Sequence, residues 1–274
     1  MEYPWDSGGS GLILRKLAWP AIQEAALKTA VVLVPIGSIE QHGPHLPIDL
    51  DTTTAETIAL QAAETASRTL GKPAALIAPT IPFGGPGIGM VEWPGTINLR
   101  PQVFLEMYKD VATCLCRAGF QYVLALAGCY GNLPALTLAC QMLKVEHPES
   151  EFLLLDGLWA EGETIARVRE SPVGGTGHAC EVETSVALVI DPDHVQMDRA
   201  VDETPRHPSP DVSFDFSRRS SAAWPMPFGK MTRSGVMGAP TLGKAEKGEA
   251  ILQAAVERVA RLIVHLQAMR QAAA

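Results

Sequence analysis

The chain has 274 residues, 47% hydrophobic and 19% charged, with a formal net charge of -8. That length buries a substantial core, and an acidic balance without a Lys/Arg stripe excludes nucleic acid and anionic membrane as expected partners. Five cysteines in a long chain argue against a disulfide framework, and neither a bilayer-length apolar run nor a charged-then-apolar signal pattern in MEYPWDSGGSGLILRKLAWP is present, so a cytoplasmic location is expected.

The apolar run AVVLVPIG, 30–37, reads as a buried strand. The Ala-rich stretch 52–70 reads as a helix, with Thr53 and Glu56 at capping-box spacing. A strand is expected over 74–84, running into a Gly/Pro loop. A helix follows over 100–119, with Pro101 near its first position and Gly119 as its stop. Then come a strand over 122–128, a helix over 132–147 and a strand over 151–157. The segment 199–240, rich in Pro, Ser and Gly, is expected to wrap the surface or reach a neighbouring subunit. The last helix, 244–270, places Ile251, Leu252, Ala255, Val256, Val259, Leu262, Ile263 and Leu266 at helical spacing. Strands alternating with helices predict one α/β domain over residues 1–274, with a mostly parallel sheet covered on both faces.

In such sheets ligands bind beyond the carboxyl ends of the strands. Three loops fall there: GSIEQHGPHLPIDLD after the first strand, GPGIGMVEWPGT after the second and GCYGN after the third. In an extended segment Glu40 and His42 point the same way, and a carboxylate beside an imidazole suits a divalent cation. Asp51, just before the expected helix, either joins them or caps that helix. A second cluster, His178, Glu181 and Glu183, precedes an apolar run. It reads either as first-turn carboxylates at a helix N-terminus or as a ligand with a general acid or base.

Together GSIEQHGPHLPIDLD, WPGTINL, HACEVETS and GVMGAPTLGKAEKGEAIL resemble the signature blocks of the creatininase (creatinine amidohydrolase) family. The resemblance implies a three-layer α/β/α sandwich, a site for one or two divalent ions (zinc first, manganese or iron as alternatives) and a homo-oligomer, often a hexamer. It implies that Glu40 and His42 ligate different ions, that Asp51 bridges them, that Glu181 serves the second ion and that His178 is the catalytic acid/base. The implied activity is hydrolysis of a C–N bond in an amide or lactam by metal-activated hydroxide.

The third loop departs from the family pattern. Cys129 stands where relatives carry a metal-binding His, Ala127 where they carry Asn, and Gly131 where creatinine-hydrolysing members carry Glu; Met90 aligns with a further His. Cys129 is a zinc-favouring thiolate ligand, an inert buried residue or a nucleophile. Cys114, Cys116 and Cys140 read as core, Cys180 as a residue crowding the motif, and His45 as a supporting loop residue. Trp159 and Tyr130 are the expected substrate contacts, with a core or interface position as the alternative for Trp159. Gly174 replaces an aromatic wall, so creatinine itself is not the expected substrate. The alternatives are a hydrolase of a non-amide cyclic substrate and a catalytically impaired small-molecule-binding relative.

Overall fold

The computed structural model describes residues 12–85, 90–205, 209, 211–216 and 220–273. Most of the N-terminal stretch read above and part of the Gly/Pro loop lie outside them, as do 206–208, 210 and 217–219 within the Pro/Ser/Gly segment. Four parallel strands, β1 (Val31–Ile36), β2 (Leu76–Ile77), β3 (Tyr122–Ala127) and β4 (Glu151–Asp156), form a sheet in the order β2-β1-β3-β4. Val31 pairs with Tyr122, and Tyr122 in turn with Glu151, so the carboxyl ends of β1, β3 and β4 finish level.

Period-two alternation sends the strand side chains into two cores. Val31, Leu33, Leu124 and Leu126 pack on α2 (Leu50–Leu70), α6 (Glu181–Ile190) and α8 (Ala245–Ala273). Val32, Val34, Val123 and Ala125 pack on α1 (Trp19–Thr29), α3 (Pro101–Arg117) and α4 (Leu133–Glu146). The result is the expected three-layer sandwich. Of the eight apolar positions read on the last helix, all but the half-buried Leu262 are buried. No helix among the described residues is long and apolar enough to cross a membrane.

Three expectations change. The helix predicted over 52–70 begins at Leu50, and Thr53 donates to the Asp49 carbonyl instead of closing a capping box with Glu56. The strand predicted over 74–84 shrinks to two residues, because Pro79 and Pro82 have no N–H for the ladder. Helix α1 was not anticipated. Beyond β4 lie α5 (Gly162–Val168), β5 (Thr176–His178), α7 (Phe228–Met231) and β6 (Met237–Gly238), with β5 and β6 forming an antiparallel ribbon.

The Pro/Ser/Gly segment folds back over the carboxyl ends of the strands. Glu203 pins it, accepting hydrogen bonds from Thr232 Oγ1 (2.7 Å), Arg233 N (2.8 Å), Ser234 N (2.9 Å) and Ser234 Oγ (2.5 Å). Burial works against its charge, but these donors prevail and hold the carboxyl down at about 2. A depressed folded-state pKa contributes stability that is complete above the unfolded value and is lost as pH falls through the folded one. Glu203→Gln is therefore expected to lower Tm above about pH 5, with the gap to the parent closing as pH falls toward about 2. Thermal denaturation across that range checks it; a gap independent of pH would show that the carboxylate charge is not what holds the segment.

Candidate functional site

Glu40, His42 and Asp51 arrive from the loop after β1 and the first turn of α2. Glu40 N donates to Ile48 O (2.9 Å), Ile97 N to Ile39 O (2.8 Å) and Gln41 N to Thr96 Oγ1 (3.0 Å), which anchors the loop. Two glycines allow α2 to come close. A Cβ on Gly37 would lie 2.4 Å from Thr52 Cα, and one on Gly128 would lie 2.0 Å from Asp51 O. The second contact brings the Asp51 turn against the end of β3, beside Cys129.

Donor atoms converge in three groups, each within 4.8 Å: Glu40, Asp51 and Cys129; His42, Asp51 and Glu183; Glu40, His42 and His178. The first two share Asp51. Cys129 Sγ lies 3.6 Å from Glu40 Oε1, so this side chain faces the cluster. Burial, then the Asp51 and Glu40 carboxylates, push its thiol well above the ordinary value; a protonated thiol is a poor nucleophile.

Glu181 does not join the cluster. It pairs with Lys247 and accepts from Glu170 N (2.8 Å) and Ser171 N (2.9 Å). Burial opposes its charge, yet Lys247 and Ser171 keep its pKa below the usual carboxylate range. Glu183 is the carboxylate that turns inward, accepting from Ala179 N at 2.5 Å. Successive helical residues are turned by about 100°, so positions 181 and 183 face opposite ways.

The histidines are oriented by carbonyls. His42 Nδ1 is 3.0 Å from Glu40 O, and His178 Nε2 is 2.6 Å from Gln41 O. A carbonyl only accepts, so each of these nitrogens carries a proton. The other nitrogen of each ring faces carboxylates: His42 Nε2 lies 3.4 Å from Asp51 Oδ1, and His178 Nδ1 lies 3.9 Å from Glu40 Oε1. The rings are 4.3 Å apart. Burial opposes charge on His42, but Asp51, Glu183 and Glu40 raise its pKa to about 10. Burial and His42 push His178 well below the ordinary value. Burial and Asp51 push Glu40 up to about 8; burial pushes Glu183 to about 7.

This chemistry fits a cation. Three buried carboxylates crowd one imidazole, and Asp51 Oδ2 is buried with no hydrogen-bond partner. Such a group is costly unless something positive meets it. Glu40, Asp51 and Cys129 could hold one ion, and His42, Asp51 and Glu183 another.

The expected substrate contacts divide. Tyr130 is 43% exposed and lines a cavity of about 260 Å³ above the cluster. Trp159 is 8% exposed and does not line it; it stands edge-on behind Phe216 at 5.0 Å. Sequence reasoning missed Phe214, Phe216, Trp224 and Phe228, all on the cavity wall. Their signal was four aromatics within fifteen residues of a segment otherwise poor in apolar groups. It also missed Asn132, which is fully buried: its Nδ2 donates to Gly37 O (2.9 Å) and its Oδ1 accepts from Gly85 N (3.2 Å), tying the three loops together. Met90 lines the cavity. Cys180 is buried in the core, and His45 Nε2 bonds Thr184 Oγ1 at 2.9 Å.

A three-layer sandwich whose loops gather carboxylates, imidazoles and a thiol at the strand ends defines a hydrolase with candidate metal-ligand groups. The chain belongs to the creatininase family: the creatinine amidohydrolase family model matches residues 15–263. It is 30% identical over 238 residues to a mycofactocin precursor peptide peptidase of Mycobacterium tuberculosis (strain CDC 1551 / Oshkosh), covering 85% of this chain and 84% of that protein. It is 25% identical over 262 residues to the creatinine amidohydrolase of Pseudomonas putida, covering 90% and 94%. A crystal structure of a candidate creatinine amidohydrolase from Bacteroides fragilis NCTC 9343 superposes with a TM-score of 0.79 at 27% identity, covering 93% of this chain and 96% of that one.

Proposed function

We propose that this chain hydrolyses a C–N bond in an amide or cyclic amide other than creatinine, with divalent cations held by Glu40, Asp51 and Cys129 and by His42, Asp51 and Glu183. The observation that carries this reading is the pair of donor groups sharing Asp51, one of whose oxygens is otherwise unsatisfied. Bound there, a divalent cation supplies a Lewis acid for the scissile carbonyl and lowers the pKa of water. The named relatives, a peptidase and an amidohydrolase, support the bond type.

The chain's own residues do the rest. Glu40 O holds the proton of His42 on Nδ1, so that a cation displacing the Nε2 proton would meet the Nε2 lone pair there. Gln41 O does the same for His178, leaving Nδ1 as the atom that takes and returns a proton. Depressed basicity suits that task, because His178 rests neutral and gives the proton up readily to a leaving nitrogen. The apolar wall above excludes water from the reacting bond.

Elemental analysis of the protein purified without added metal, combined with amine or ammonia release from a panel of amides and lactams, tests the reading. Retained zinc, manganese or iron with nitrogen release is expected. Carboxylate formation with no new free amine, whether released or tethered on a ring-opened product, would move the activity to a C–C or C–O bond. An ion-free protein that gains nothing on dialysis against these metals would make it a binding relative. Cys129→His is expected to raise ion occupancy or shift preference from zinc toward manganese or iron, since thiolate is the softer donor; unchanged stoichiometry and selectivity would remove Cys129 from the ligand set.

A further inference from the structure

We infer that the substrate of this site carries a flat aromatic group and no negative charge of its own, seated against the wall formed by Tyr130, Phe216, Trp224 and Phe228. This assignment rests on the amide-hydrolase reading of the floor and adds the chemistry of the leaving or acyl portion.

The floor and walls of the cavity differ sharply. Glu40, Cys129, His178 and Glu183 lie at the bottom beside Ser38 and Asn132, while most of the remaining lining is aromatic rings, proline and methionines. Tyr130 stacks on Phe216 with centroids 4.4 Å apart and planes at 17°, and Trp159 backs Phe216 edge-on. Phe228 meets His178 edge-on at 5.1 Å and Trp93 at 5.7 Å. Thus the wall holds a mutually stacked ring pair that presents its outer surface and edges, and a further ring packed against the proton-carrying histidine. Met90, Met226, Met231 and Met237 also line the space; their thioethers adapt to ring edges and faces. A dry apolar cavity of about 150 Å³ is enough to admit benzene, so about 260 Å³ accommodates a ring together with an amide.

Charge selects further. Among the described residues the lining contains no Lys or Arg, and its charged side chains are the carboxylates of the floor. A carboxylate or phosphate carried on the ring would be desolvated against the apolar wall, where no described lining residue offers it a Lys or Arg. A neutral ring meets no such cost.

The wall is also pre-set. Asp215, fully buried between Phe214 and Phe216, accepts from Thr176 Oγ1 (2.6 Å) and Gly174 N (2.6 Å) and pairs with Arg169 at 3.0 Å. Phe216 N donates to Thr176 O at 2.8 Å. The ring of Phe216 is therefore tied to β5, the strand that ends in His178. Ring pocket and proton carrier are registered to each other through one short strand, which is what positioning a ring-bearing amide requires.

Isothermal titration of the full chain loaded with zinc tests this with three probes sharing one amide: N-benzylacetamide, N-propylacetamide and 4-(acetamidomethyl)benzoate. The benzyl compound is expected to bind about tenfold or more tighter than the propyl compound, and the benzoate about tenfold or more weaker than the benzyl compound. Trp224→Ala, at a position 56% exposed, and Phe216→Leu, which keeps an apolar contact for Trp159, are each expected to erase most of the ring preference, lowering benzyl affinity more than propyl affinity. Equal affinity for benzyl and propyl, benzoate binding as tight as benzyl, or an unaltered preference in both variants would overturn the assignment. The readout is binding, so it stands or falls whether or not any probe is cleaved; bond cleavage is judged separately by nitrogen release.

Discussion

Asp51→Asn is expected to empty both donor groups at once. The protein purified without added metal should lose most of its bound ions, and nitrogen release should fall by about a thousandfold or more. That is the size expected when a Lewis acid supplying several kcal/mol is withdrawn. Glu40→Gln should mainly weaken the group that includes Cys129, and His42→Ala the group that includes Glu183. The reason is geometric: Asp51 alone belongs to both of these groups, and its Oδ2 has no protein partner. The same arrangement predicts a control. In EDTA, Asp51→Asn removes a like charge from beside Glu40 but also the carboxylate that pairs with His42, so the His42 imidazolium should lose its proton at lower pH than in the parent, which NMR titration reads. Full ion retention by Asp51→Asn, measured by elemental analysis, would end the shared-ligand assignment.

Much of the fold was readable because the alternation of apolar runs and helical stretches is strong. Val31 to Ile36 and Tyr122 to Ala127 are buried on both sides of the sheet, and doubly buried strands read as continuous apolar runs. The N-terminus of α2 was not readable. Thr53 and Glu56 had the spacing of a capping box, but the close approach that Gly128 permits draws Leu50 and Asp51 into the helix. Spacing on its own cannot register such a tertiary contact. The wall of the cavity was hidden for a related reason. Residues 214–231 carry the turn formers of a surface segment, and the Asp215 and Glu203 anchors hold its described residues over the site. For Trp159 the sequence left a pocket-bordering and a core position open, and the structure buries it behind Phe216, away from the cavity lining. Cys129 faces Glu40 from the loop after β3, and its protonation depends on burial and on the carboxylates around it.

The paired substitutions Glu183→Gln and Glu181→Ala should separate chemistry from architecture. HACEVETS offers two carboxylates, and in an extended chain both would face one way. The backbone instead turns at Ala179, whose φ of 51° lies in the left-handed region, an uncommon conformation for a residue with a Cβ. The helix begins immediately afterwards. From there Glu183 points to His42 and Asp51, whereas Glu181 points to Lys247 on α8. Glu183→Gln keeps an oxygen for Ala179 N but removes the charge, so one class of bound ion and most of the activity should go while Tm changes little. Glu181→Ala should leave ion stoichiometry intact. It leaves a buried Lys247 with the half-exposed Glu170 and the Leu242 carbonyl, and breaking such a pair costs about 3 kcal/mol. In a chain of this size that lowers Tm by about 6–10 °C. Elemental analysis and thermal denaturation of the two variants decide the matter, for if Glu181→Ala lost ions and Glu183→Gln kept them, the inward carboxylate would have been misassigned and α6 would have to sit rotated in the working enzyme.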